Sequence, residues 1–344
     1  MLAGMPLDIT RSGLVAPTRI DPSGLSGPTA GQARGPYWRT AGPRHHVPAD
    51  VPVTTEQRIV EAVGALPPGS AATGWAALHW LEARWFDGLS ADGSPLPVPV
   101  ALGDQRCARN RPGVTLSEDW LFADDVIVID GLPITIPERS VTYAARTARD
   151  DIAAVRDIDM AAYDDLVDLD GLRSYTARLA GRSGKRRLLR ALALADENSW
   201  SPMETVMRQA WRGHRDASLL CNTPIFDLDG KHQFTPDVFD PATGVAGEYN
   251  GADHRIGGQH SRDLMREELT RRLGIEVVAM MAGRGEIARF QYRLDGALAR
   301  AAQRRGPRPW TVVQPEKWVD TSTVAKRRAL TADQAERWLR HRRT

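Results

Sequence analysis

Residues 235–263 read TPDVFDPATGVAGEYNGADHRIGGQHSRD, and the strand pairing inside this stretch decides how the C-terminal half folds. Two runs containing apolar residues, Phe234 to Phe239 and Val245 to Tyr249, flank the turn-rich Pro241-Ala242-Thr243-Gly244. Such segments joined by a short Gly-containing loop predict a β-hairpin. With those four residues as the loop, Asp240 faces Val245, and stepping back along the ladder sets Asp237 opposite Glu248. Directly opposed side chains have Cβ atoms ~5 Å apart, where two like charges are destabilising. A divalent cation held by oxygen ligands removes that cost. A one-residue slip would instead send the two carboxylates to different faces. The hairpin alone leaves both arrangements open.

The rest of the chain sets the context. Its 344 residues can hold two modest domains, or one domain with long appendages. The 42% hydrophobic and 26% charged composition is that of an ordinary globular protein, with no apolar run of the ~20 residues a membrane span needs. The N-terminus lacks a basic-then-apolar signal, and Cys107 and Cys221 are far apart without partners at metal-ligand spacing. These features predict a cytoplasmic protein with no zinc site and no membrane partner. Net charge is only +2, yet of the 45 basic residues only Lys185, Lys231, Lys317 and Lys326 are lysines. A GC-rich genome accounts for that bias; arginine also binds phosphate bidentately where it clusters.

Residues 1–50 are rich in Gly, Pro, Arg and Thr and predict a loosely ordered arm anchored by Tyr37 and Trp38. His45 and His46 have no acidic or cysteine neighbours and are not read as ligands. From 51 to 175 the pattern is α+β. A Thr-capped helix at 54–66 is followed by a Trp-rich helix at 76–85, read as core. Strand-like runs follow at 97–102, 113–116, 126–130 and 133–136, the last two joined at Asp130-Gly131, then helices at 140–148 and 151–160. The acidic YDDLVDLDGL and basic RSGKRRLLRAL segments read as solvated helix faces. Residues 296–344 form a basic tail: its last 44 residues carry eleven Arg/Lys against four Asp/Glu, and it ends in a helix opened by a Thr331/Gln334 capping box. Arg340, Arg342 and Arg343 there are candidates for sequence-independent phosphate contact, with a solubilising end as the other reading.

Two resemblances follow from quoted motifs. VTTEQRIVEAV, GWAALHWL and IDGLPITIPERSVTYAA resemble the C-terminal part of AbiEi-type abortive-infection antitoxins, which implies a toxin–antitoxin or defence partner. The winged helix with which those antitoxins engage DNA is not evident. Between 190 and 295 the order is helix 201–212, strand 218–226, turn 229–230, strand, turn, strand, helix 261–273 and strand 275–281. That αβββαβ order, with SPMETVMRQA, TPDVFD, GEYNGADHR and SRDLMREELTRRLGIEVV, resembles the PD-(D/E)XK nuclease superfamily, in particular endonucleases related to very-short-patch repair.

The resemblance implies a restriction-endonuclease-like α/β core and a metal-dependent endonuclease acting on DNA. It implies Asp237 and Glu248 as ligands for Mg²⁺ or Mn²⁺, Glu204 orienting a water, His254 as general base, and Arg255, Arg262 and Arg266 on phosphate. Competing readings stand beside these roles. Ser201-Pro202-Met203-Glu204 is also a capping box, so Glu204 can simply close its helix. His254 and His260 lie in a Gly-rich loop, and Asp263 and Arg266 can be ordinary residues of the following helix. The superfamily's usual Lys falls at Asn250, which cannot carry positive charge but can ligate through its carbonyl oxygen. A DNA-binding antitoxin or regulator with a degenerate nuclease core is therefore the alternative expectation. One active site per chain would require a homodimer, or two nicks, for a double-strand break.

Overall fold

In the computed structural model the chain is a mixed α/β protein, described for residues 7–103, 108–109, 111–251 and 259–343. It divides into two compact units: residues 1–149 with 171–189, and residues 150–170 with 190–344. Among the described residues no helix is long and apolar enough to cross a membrane.

The first unit centres on a five-stranded mixed sheet in the order Val114–Ser117, Val98–Ala101, Ala71–Ala72, Leu132–Thr135, Val126–Ile129. The last two strands are the hairpin expected at Asp130-Gly131, both of which take positive φ, the geometry of a tight two-residue turn. Helix Thr55–Gly64 starts where the Thr54 side chain accepts the Gln57 N–H, and it buries Ile59, Val60 and Val63 against the sheet. The Trp-rich helix covers only Gly74–Trp80 and stops before Glu82, whose φ is 65°. Trp80 is therefore core, with its Nε1–H donated to Ile129 O, whereas Trp85 is 38% exposed.

Residues 7–50 are not a loose arm. Thr18–Arg19, Trp38–Gly42 and His45–Pro48 form a three-stranded antiparallel sheet, and Leu7, Ile9 and Leu14 pack on the core. Short strands separated by Gly and Pro give too little periodicity to be read in advance. Tyr37, one of the two expected anchors, is largely exposed. His45 and His46 are buried. His45 Nδ1 donates to Pro43 O and its Nε2 accepts from Arg19, which fixes a neutral tautomer, and burial lowers its pKa.

The second unit holds a four-stranded sheet in the order Glu276–Met281, Val245–Asn250, Val238–Asp240, Leu220–Cys221. The first pair is parallel and the others antiparallel. Alternation sorts its residues: Val238 and Val245 join Met207, Trp211, Phe290 and Leu294 from helices Pro202–His214 and Glu286–Ala302. Phe239 and Ala246 join Leu273, Ile275 and Trp310 in a separate cluster. Gly247 permits close helix packing, since a Cβ there would lie 3.3 Å from Met207 Sδ.

Two expected elements differ. The strand predicted at 218–226 is broken into Leu220–Cys221 and Ile225–Asp227 at Asn222, which adopts φ 44° ahead of Pro224. Ile225–Asp227 pairs instead with His232–Phe234 and with Trp310–Thr311, in a second, three-stranded sheet. The basic C-terminal residues are accordingly built into the fold. Arg327 bonds Asp165 and Ala162 O, and helix Ala332–Trp338 opens with the expected Thr331/Gln334 capping box.

Candidate functional site

The hairpin register is the one the loop length requires: Asp240 pairs with Val245, Phe239 with Ala246 and Val238 with Gly247. Gly244, at φ 76°, closes the loop, and Asp240 accepts the Ala242 N–H and the Thr243 hydroxyl. The paired register ends at Val238, and Asp237 stands just before it, outside the strand. Asp237 Oδ2 accepts the Tyr249 N–H at 2.7 Å, tying the carboxylate to the partner strand.

Glu204 arrives from the first turn of helix Pro202–His214, where Ser201 Oγ accepts its N–H. The capping box is incomplete. Glu204 Oε2 reaches past Ser201 and accepts the Trp200 N–H at 2.7 Å, and it also accepts from Asn222 Nδ2 at 2.7 Å. Asn222 further donates to Asn198 O, and Asn198 Nδ2 donates to Cys221 O and Asn222 O. Glu204 thus anchors its helix end, and its carboxyl lies within electrostatic reach of Asp237.

The electrostatics tie the three acids together. Burial raises the pKa of Glu248, pushed up to about 8, with the charge of Asp237 as the next cause and that of Glu204 adding to it. Burial and then Asp237 push Glu204 up to about 7. Asp237 is also raised by burial, against the pull of the Tyr249 N–H and Arg266. The charge of Asp237 opposes ionisation of the other two. Among the described residues the cation in the group is Arg266 from helix Gln259–Leu273: its guanidinium bonds Glu248 Oε1 and lies 5.4 Å from the centre of the Phe234 ring. Those described residues set one arginine against three carboxylates.

The chemistry of this donor set suits a hard divalent cation, which takes carboxylate oxygens. Asp237, Glu248 and Glu204 are the residues that would hold one. Among the described residues, no three or more His, Cys, Asp and Glu are already closed around one point. The reason is local: Glu248 is turned to Arg266, and one oxygen of Glu204 is held by Trp200 and Asn222. Asn250 is exposed at the end of the Glu248 strand.

His254 and Arg255 lie outside the described residues, as do the side chains of His260, Arg262, Asp263 and Arg343. Arg340 is exposed. Arg342 is not on the surface: it is 9% exposed, donates to Tyr163 O and Asn198 Oδ1, and lies 4.8 Å from the centre of the Tyr163 ring. Its role as a phosphate contact is corrected to one inside the fold, because burial leaves Nη1 and Nη2 bonded to protein. Sequence reasoning missed Asn198, Trp200 and Asn222. Their only advance signal was Asn222-Thr223-Pro224, a turn sequence inside an expected strand. No family model, curated protein or solved structure matches the chain.

Proposed function

We propose that the second unit is a metal-dependent endonuclease of the PD-(D/E)XK kind, hydrolysing DNA phosphodiester bonds with Mg²⁺ or Mn²⁺. The observation that supports this reading most is the gathering of Glu204, Asp237 and Glu248, each raised in pKa, with Arg266 beside them. Acids perturbed by burial and by one another are a feature of reactive sites. A bound ion would activate water and offset charge developing on phosphate. Within the chain, Asp237 and Glu248 supply the ligating oxygens. Glu204, exchanging its proton near neutral pH, can accept one from water. Arg266 is 43% exposed and can trade the Glu248 carboxylate for a phosphate oxygen. The first unit, on its AbiEi resemblance, is the proposed contact for a toxin–antitoxin or defence partner.

One observation favours a second reading, a DNA-binding regulator with a degenerate core: Asn250 replaces the usual Lys, and the Glu248–Arg266 pair partly neutralises the site without a metal. Conversion of supercoiled plasmid to nicked circles separates the two. Nicking that requires Mg²⁺ or Mn²⁺, stops with EDTA and drops at least about 100-fold in Asp237→Asn/Glu248→Gln is the expected result. DNA retardation on a gel without nicking of any DNA form would move the assignment to the regulator.

A further inference from the structure

The first unit contains a charge imbalance of the opposite sign. Helix Pro137–Thr147 carries Arg139 and Arg146 two turns apart on its buried side, and the segment after helix Leu169–Arg178 brings Arg182 beside them. All three converge on a single oxygen of Asp119. Arg146 bonds it directly, Arg182 Nη1 is 3.2 Å away and Arg139 Nη2 is 3.6 Å away. The three arginine side chains are 1%, 3% and 0% exposed in chain order, whereas Asp119 is 27% exposed and marks the open side. The arginines hold its carboxyl below the usual range despite burial.

The second carboxylate nearby does not balance them. Asp125 is fully buried, and its two oxygens accept the Tyr175 hydroxyl at 2.7 Å and the Phe122 N–H at 2.9 Å. Its nearest approach to Arg139 is 3.9 Å. Six buried guanidinium nitrogens are left without a hydrogen-bond acceptor: all three of Arg139, Nε of Arg146, and Nε and Nη1 of Arg182. Unpaired buried charged donors are costly, and nearly all buried polar groups in folded proteins are bonded. Arg139 shows the cost directly, since burial lowers its pKa and Arg146 and Arg182 lower it further. Donors at this density match a tetrahedral oxyanion, whose oxygens accept forked arginine bonds. Arg182 stacks 3.9 Å over the half-exposed Trp120 and donates to its carbonyl, which fixes one wall. The unbonded nitrogens are buried and Asp119 is the exposed member of the cluster, so a ligand meets them by displacing Asp119; a terminal phosphate brings one chain continuation to that contact and a phosphodiester two.

We propose that this cluster binds a terminal phosphate, as inorganic phosphate or a phosphomonoester, with Arg139, Arg146 and Arg182 as ligands. Asp119 is the built-in counter-ion at its mouth, which the incoming dianion displaces. The proposal does not depend on the nuclease reading. Isothermal titration of the full chain with sodium phosphate, and separately with a nucleoside 5′-monophosphate, tests it against sodium chloride at matched ionic strength. Saturable one-to-one binding is expected, tightened about tenfold or more by Asp119→Asn, which removes the competing charge. Arg139→Met is expected to abolish it. Should that variant fail to fold, the comparison of Asp119→Asn with wild type still decides. Stronger binding of inorganic phosphate identifies the free ion as ligand, and stronger binding of the nucleotide a phosphomonoester. No saturable heat with wild type or Asp119→Asn overturns the proposal, as does weaker binding by Asp119→Asn. Displacement of phosphate by a DNA duplex lacking terminal phosphates also overturns it, in favour of a backbone contact.

Discussion

Two buried acidic groups in the second unit show how differently one fold can treat a carboxylate. Asp159 of helix Asp151–Tyr163 is fully buried and paired: Arg208 meets it at 2.5 Å, Thr205 Oγ1 donates at 2.7 Å and the Asp196 N–H at 2.8 Å, and although burial pushes its pKa up to about 6, Arg208 is the largest influence pulling it back. Both of its oxygens have donors, and a buried cation of opposite charge faces it. The Glu204–Asp237–Glu248 group differs in its partners: burial raises all three acids, the charge of Asp237 raises the other two further, and among the described residues one half-exposed arginine, Arg266, lies beside them. Balanced burial joins two helices. Unbalanced burial stores a cost that a ligand of the missing sign can relieve, and the arginines around Asp119 repeat that pattern with charges reversed.

The largest expected difference between the two acidic groups is in stability. Asp159→Asn would leave the buried Arg208 only its 3.5 Å pair with the partly exposed Asp196 and is expected to cost about 3 kcal/mol in chemical denaturation. A loss below about 1 kcal/mol would remove the distinction between scaffold and site. At the unbalanced group the sign reverses. In EDTA at pH 8, Glu248→Gln is expected to raise stability by about 1 kcal/mol, because it removes a repelled charge and leaves only a half-exposed Arg266, which water can solvate. Destabilisation by that variant would mean the Arg266 pair outweighs the repulsion.

The pH dependence is a smaller and finer test. An acid whose pKa is raised on folding binds its proton more tightly in the native state. Its stability contribution is full below the unfolded pKa, ~4.3 for Glu, and is lost as pH rises through the folded values near 7 for Glu204 and 8 for Glu248. Metal-free wild type should therefore lose melting temperature between pH 5 and pH 8 more steeply than Glu248→Gln. Parallel curves for the two proteins would show that Glu248 does not titrate in that window.

What the sequence made legible follows from the range of the interactions. The hairpin register could be read because a four-residue loop and a side-chain period of two fix it locally, and Ser201 announced the helix start that carries Glu204. The supports of Glu204 could not be read, since Asn222 meets it only after the chain has closed across eighteen residues. The break at Asn222 was concealed by the apolar residues on either side of it, Leu219 to Cys221 and Ile225 to Phe226. Among the arginines, Arg342 was misread. It is buried, as are Arg139, Arg208 and Arg327, against the strong tendency of arginine to stay in water, and their partners, among them Asp119, Asp159, Asp165 and Tyr163, are distant in sequence.

Calorimetric titration of the metal-free chain with Mn²⁺ tests the central claim most directly. The account predicts one saturable site per chain that is lost in Asp237→Asn and in Glu248→Gln but kept in the exposed-tail variant Arg340→Gln. Binding that survives both carboxylate substitutions, or no saturable binding by wild type, would contradict it.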